Sequence, residues 1–328
     1  MGQHPNKGIK YLVEADFGIA QGVARKGGMN NFQKLFVAID FSPSSDEALR
    51  QAHERAVSTG AQLVVCHIVP NELRNNLLFP HISRIAALQF PLDVKQIADA
   101  ASARVTEVTG RASEEFELIV EDGTPQALIL GIAEESLADL IIMGSHGQTR
   151  AAGVLLGSVT DSVIRHAHCP VLIVRRGERT RRIVAGTDFS DPALPALKAA
   201  ADEAMRVGGE LTVVHSLDLV WSPAAYPAMA FGGAPFNISP EKMKELERIA
   251  TERLEESFRQ LNVVGNTLVT TGSAGPALID VATEQNADLV VVGTIGRTGL
   301  RRALLGSVAE TVAKGAPCSV LVVRRHPA

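Results

Sequence analysis

Asp139-Leu-Ile-Ile-Met143 runs into Gly144-Ser-His-Gly147, and nine residues later the chain reads Gly157-Ser158. The same phrase returns as Asp288-Leu-Val-Val-Val292, then Gly293-Thr-Ile-Gly296 and, after nine more residues, Gly306-Ser307. A short apolar run closed by glycine reads as a buried strand. Glycine lacks a Cβ, so its amide can approach an anion closely and adopt turns that other residues resist. The glycine-serine step then opens a helix, whose N-terminus attracts negative charge. With 28 glycines in 328 residues, such a pattern arises about 0.02 times per chain by chance, so two copies mark a repeat.

The repeat extends through the chain after residue 30. Leu35-Phe-Val-Ala-Ile39 followed by Asp40-Phe41-Ser42 is matched by Arg182-Ile-Val-Ala-Gly-Thr187 followed by Asp188-Phe189-Ser190. Both serines are placed to cap the helix that follows, and Pro43 suits a first helical turn. Gln62-Leu-Val-Val-Cys-His67 is matched by Glu210-Leu-Thr-Val-Val-His215, and each unit closes on an apolar run, Cys169–Val174 or Cys318–Val323. Third strands at Phe116–Val120 and Thr267–Thr270 lead to Gly123 and Gly272. Apolar strands alternating with helices predict a parallel sheet covered on both faces, with right-handed crossovers. The expected domains are 31–177 and 178–328, with 1–30 a poorly ordered N-terminal extension and Met29 a candidate true start. The segments Pro70–Asp93 and Leu217–Pro240 repeat least. Both follow a strand's carboxyl end, where α/β proteins place ligands.

Composition narrows the function. A net charge of −4 and only 4% aromatic residues give no positive field or stacking platform for nucleic acid. No apolar run reaches the roughly 20 residues that span a bilayer. Three scattered cysteines, Cys66, Cys169 and Cys318, fit reduced core residues and a cytoplasmic setting. A P-loop needs Gly-x4-Gly-Lys-Ser/Thr, and a nucleophile elbow needs Gly-x-Ser-x-Gly; the chain has neither. No Gly-x-Gly-x-x-Gly follows strand one, which sets dinucleotide dehydrogenases aside. His67 and His215 lie inside apolar runs, the usual place of a hydrogen-bonded core histidine. Asp139 and Asp288 read as strand-edge anchors. His166 and His168 lack partners at metal-ligand spacing.

Together the aspartate-Phe-Ser triplet, the strand-two histidine, the Asp-Leu strand and Gly-x2-Gly-x9-Gly-Ser resemble the universal stress protein family in tandem, over about residues 31–325. The resemblance implies two Rossmann-like adenine-nucleotide-binding domains, each a five-stranded parallel sheet of order 3-2-1-4-5 with helices on both faces. It implies ATP as ligand with Mg2+ as companion. In the first domain Asp40 would face the ribose or the metal, and the backbone at Ile68 the adenine edge. Gly144 and Gly147 would admit the triphosphate, and Gly157, Ser158 and Val159 would receive phosphate. The second site would use Asp188, Ser216, Gly293, Gly296, Gly306, Ser307 and Val308. Ser216 in place of Ile68 and Ile295 in place of His146 make the sites unequal. Arg150, Arg297, Arg301 and Arg302 are either charge-balancing groups or a solvated basic face.

The implied role is a nucleotide-dependent stress regulator or sensor. A slow ATP hydrolase and an interaction module with vestigial sites are the alternatives; no evident general base supports hydrolysis. The closing strands suggest that the two domains pair with each other inside the chain, with a homodimer as a further assembly.

Overall fold

The computed structural model describes residues 10–13, 32–70, 94–147, 156–218, 239–261, 264–294 and 305–324. The chain divides into two compact units between Arg175 and Arg176.

The first unit holds β1 (Lys10–Val13), β2 (Lys34–Ile39), α1 (Pro43–Thr59), β3 (Gln62–Pro70), α2 (Val94–Thr109), β4 (Glu117–Gly123), α3 (Pro125–Glu135), β5 (Leu140–Gly144), α4 (Ser158–His166) and β6 (Val171–Val174). Its sheet runs β1-β4-β3-β2-β5-β6. The four pairings from β4 to β6 are parallel, with Leu35 opposite both Leu63 and Leu140. Numbered from β2, this is the expected order 3-2-1-4-5. The crossovers reverse direction after β4, so right-handed connections put α1 and α2 on one face and α3 and α4 on the other. The helices do pack as those two pairs.

The second unit repeats the plan with β7 (Arg182–Gly186), α5 (Leu194–Val207), β8 (Glu210–Leu217), α6 (Pro240–Leu261), β9 (Asn266–Thr271), α7 (Ala274–Glu284), β10 (Leu289–Gly293), α8 (Ser307–Gly315) and β11 (Ser319–Val323). Its order is β9-β8-β7-β10-β11, all parallel.

The strands read as continuous apolar runs because both faces are covered. Leu35, Phe36 and Val37 in β2 are fully buried, as are Val290 and Val291 in β10. Each such side chain contributes about 1.5–3 kcal/mol of burial free energy. Cys66, Cys169 and Cys318 are buried and none forms a disulfide. No helix among the described residues is long and apolar enough to cross a membrane.

Two features depart from the sequence expectation. Residues 10–13, inside the expected extension, form β1, which pairs antiparallel with β4 from Lys10 opposite Glu121 to Val13 opposite Leu118. The first sheet therefore has six strands, the outermost antiparallel. The second departure concerns helix capping. Ser42 caps α1 by accepting the Ser45 amide at 3.2 Å. Ser190 instead opens a single turn of 3-10 helix, Asp191–Ala193, with no side-chain cap. There the Ser190 carbonyl takes the Ala193 amide, and the hydroxyl is left to bond elsewhere.

Asp139 and Asp288 anchor the strand starts as read. Asp139 Oδ2 accepts the amides of Gln33 and Lys34 at 2.7 and 2.9 Å. Asp288 accepts those of Thr180 and Arg181 at 2.7 and 2.6 Å.

Candidate functional site

β2 and β5 are neighbours in the sheet, and the chain leaves them in opposite directions, β2 toward β3 and β5 toward β6. The crevice beyond their carboxyl ends is the topological switch point, where open α/β sheets bind ligands. Asp40 follows the last residue of β2, and Gly144 is the last of β5.

The turn from β2 into α1 is built from its own side chains. Asp40 Oδ1 accepts the Ser42 amide at 3.0 Å, an Asx turn. To make it, Phe41 adopts φ 62°, a left-handed conformation costing about 1–2 kcal/mol for an L-residue. Strain of this kind persists only when the surroundings enforce it. His67 does so from β3. Its Nδ1 lies 2.9 Å from the Ile39 carbonyl, which can only accept, so Nδ1 carries the proton. The Phe41 ring meets the imidazole edge-on, centroids 4.7 Å apart. Burial pushes the His67 pKa below its ordinary value, with the Ile39 carbonyl and the Asp40 charge pulling it back.

The glycine loop closes over the same point. A Cβ on Gly147 would stand 2.5 Å from Asp40 Oδ2, so the loop backbone lies directly against the carboxylate. A Cβ on Gly144 would stand 2.6 Å from Ser44 Oγ and 2.8 Å from the Ser44 carbonyl carbon, at the start of α1. The Gly157 amide donates to the Ser145 carbonyl at 2.8 Å, and Thr160 Oγ1 donates to the Gly144 carbonyl at 3.0 Å. Gly157 thereby brings α4 to the loop and offers no side-chain cap to the first-turn amides of Ser158 and Val159. The first-turn acid, Asp161, is held by Arg165 at 3.0 Å, which offsets its charge at the helix N-terminus.

The second unit repeats this construction. Phe189 has φ 61°, and its ring lies 4.2 Å from that of His215. His215 Nδ1 donates to the Thr187 carbonyl at 2.9 Å. The Gly306 amide donates to the Thr294 carbonyl at 2.8 Å, and Lys314 holds Glu310 at 2.6 Å. Asp188 differs from Asp40. Its Oδ1 accepts both the Ser190 amide, at 3.0 Å, and the hydroxyl freed from capping, at 2.5 Å. Ser216, at the Ile68 position, donates its hydroxyl to the Gly272 carbonyl at 2.6 Å.

Asp40, Gly144, Gly147, Gly157, Ser158 and Val159 thus surround one crevice, with Ile68 near the end of adjoining β3. Asp188, Ser216, Gly293, Gly306, Ser307 and Val308 occupy the matching elements. Gly296, Ile295, Arg150, Arg297, Arg301 and Arg302 lie outside the described residues. Among the described residues no cluster of three His, Cys, Asp or Glu could hold a metal by itself. The left-handed phenylalanines and the grip of the histidines were not read from sequence. The signal was present in the recurring Asp-Phe-Ser triplet and the fixed spacing to each histidine.

Comparison with known proteins gives these crevices a context. The universal stress protein family matches residues 31–175 and again 179–324. Universal stress protein Rv2623 of Mycobacterium tuberculosis is 30% identical over 305 residues, covering 90% of this chain and 97% of that protein. Universal stress protein Rv1996 of the same organism is 29% identical over 318 residues, covering 88% and 94%. Among solved structures, the functionally unknown protein PA1789 of Pseudomonas aeruginosa superimposes with a TM-score of 0.62 at 17% identity, over 90% of this chain and 93% of that one. A universal stress protein from Archaeoglobus fulgidus does so with a TM-score of 0.55 at 19% identity, over 89% and 98%. Matched by the family in each half and by relatives along its length, this chain belongs to the universal stress protein family as a tandem of two such domains.

Proposed function

We propose that the protein binds ATP at the switch-point crevice of each unit and acts as a nucleotide-dependent regulator or sensor in the cytoplasm. The observation that carries this reading is the packing of Gly147 against Asp40. A carboxylate, a glycine backbone that no side chain can crowd, and a helix start without a side-chain cap converge at the end of two adjacent strands. That combination suits a polar sugar or metal on one side and phosphate on the other. Asp40 and Asp188 would each face the ribose or Mg2+. Mg2+ would offset phosphate charge, with phosphate and water oxygens completing its shell. Ser158 and Val159, and their counterparts Ser307 and Val308, would present amides to the phosphates. Ile68 and Ser216 would offer backbone to the base.

The test is to denature freshly purified protein, identify any released nucleotide by mass spectrometry and count moles per chain. Adenine nucleotide is expected, at up to two per chain. Gly147→Val forces a side chain onto Asp40 and is expected to remove one equivalent. Protein that releases no adenine nucleotide and gives no heat on titration with ATP and Mg2+ sinks the proposal and favours vestigial sites.

A further inference from the structure

The two histidines hold the nucleotide-site carboxylate from both sides in sequence. His67 fixes residue 39 by a hydrogen bond and residue 41 by ring contact, leaving Asp40 between two fixed neighbours. His215 does the same to residues 187 and 189 around Asp188. The grip is needed where it falls. Pairing between β2 and β5 ends at Ala38 opposite Met143, one residue before Ile39. Pairing between β7 and β10 ends at Ala185 opposite Val291, two residues before Thr187. Beyond those points the sheet no longer dictates the backbone on that side, and a left-handed residue follows within a few positions.

The two copies reach this geometry from different surroundings. Ile39 is replaced by Thr187, and the serine that caps a helix in one unit bonds the carboxylate in the other. Around His67 the charged group nearest in the turn is Asp40, and burial keeps the imidazole neutral near pH 7. Donation to the Ile39 carbonyl requires a proton on Nδ1, and the neutral ring that burial favours meets this as the Nδ1–H tautomer.

We propose that His67 and His215 are positioning residues that aim Asp40 and Asp188 into their crevices, acting through the left-handed Phe41 and Phe189. The assignment rests on the nucleotide-binding reading above. It makes the histidines contributors to ligand affinity that never touch the ligand.

A double-variant cycle in the full chain tests it, with ATP and Mg2+ as the probe in calorimetry. Wild-type protein is titrated first; if it takes up no ATP, the nucleotide-binding reading fails and the assignment that rests on it falls with it, whereas failure in the variants below overturns the assignment alone. In a background carrying Asp188→Ala, which leaves the first site to be read, His67→Phe keeps a ring against Phe41 but loses the donor. It is expected to weaken ATP binding about tenfold, the effect of one lost orienting hydrogen bond. His67→Asn places an amide N–H where Nδ1 stood and is expected to recover most of that loss. Adding His67→Phe to Asp40→Ala is expected to cost nothing further, because a residue acting through Asp40 has nothing left to aim. Unchanged affinity in His67→Phe overturns the proposal. So does an equal further loss in the Asp40→Ala background, which would mark a general structural role. Should His67→Phe fail to fold, the same cycle is run with His67→Asn and His67→Gln, whose amides lie at the Nδ1 and Nε2 positions. Equal affinity of that pair then counts against the assignment.

Discussion

Leu137 occupies the turn after α3 at φ 55° with 78% of its surface exposed. The matching turn after α7 has Asn286 at φ 48°. A leucine gains nothing there from burial and bears the left-handed cost that asparagine tolerates. Leu137→Asn is therefore expected to stabilise the first unit by about 0.5–1 kcal/mol in urea denaturation; a destabilised variant would show that the side chain does more than its exposure suggests. His53 offers a pH prediction. Arg111 Nε donates to its Nδ1 at 2.8 Å, so that nitrogen must be unprotonated. Burial lowers the His53 pKa below 6.5, and the Arg111 charge lowers it further, against Glu54 and Glu115. Above pH 6.5 neither the folded nor the unfolded chain holds this proton, and stability is at its full value. As pH falls below 6.5 the unfolded chain takes the proton first, so stability declines until the folded-state pKa is passed. His67, lowered by burial, acts in the same direction. Arg111→Gln is expected to raise the His53 pKa in an NMR titration and to flatten that decline; an unmoved titration would refute the coupling.

At the scale of elements, β1 changes the character of the first sheet. It lies along β4, covering an edge that would otherwise present a row of open amides and carbonyls. Glu117, Glu121 and Asp122 on β4 also discourage strand addition through charge. Deleting residues 1–28 is expected to give a chain that self-associates by light scattering, more so as salt screens those carboxylates. A single unchanged mass at every ionic strength would show that β1 shields nothing. β1 was not legible in the sequence, because four residues without a repeat partner carry no periodic signal and their pairing spans more than a hundred positions. The other strands were legible, since each appeared twice at a nearly constant offset. Ser42 and Ser190 show the limit of reasoning by letter. Pro43 follows Ser42 directly and starts the helix, whereas Asp191 and Pro192 intervene in the second unit and the serine turns to Asp188. The glycine motif located the crevice. The backbone strain at Phe41 was hidden, because nothing in a phenylalanine's chemistry announces a positive φ.

The whole molecule is one design executed twice with local edits. Arg104 on α2 makes a bidentate ion pair with buried Asp46 on α1, with Nε–Oδ1 at 3.0 Å. The corresponding position on α6 is Arg253. Leu194 stands where Asp46 would be, and the guanidinium lies 5.8 Å from the centroid of the Phe189 ring. The same cation thus braces a helix pair in one unit and rests against the Phe189 turn in the other, a further difference in the surroundings of the two crevices. The sealed cysteines carry a different consequence. Cys66, Cys169 and Cys318 are all buried in apolar strands or beside them, away from the exposed, electropositive settings that produce reactive thiolates. An oxidant meeting the folded chain finds no thiol to convert to a sulfenic acid, and among the described residues Met205, 80% exposed on α5, offers it a thioether instead. A redox signal would thus have to act on groups other than thiols, because the fold has put its own cysteine sulfurs out of reach.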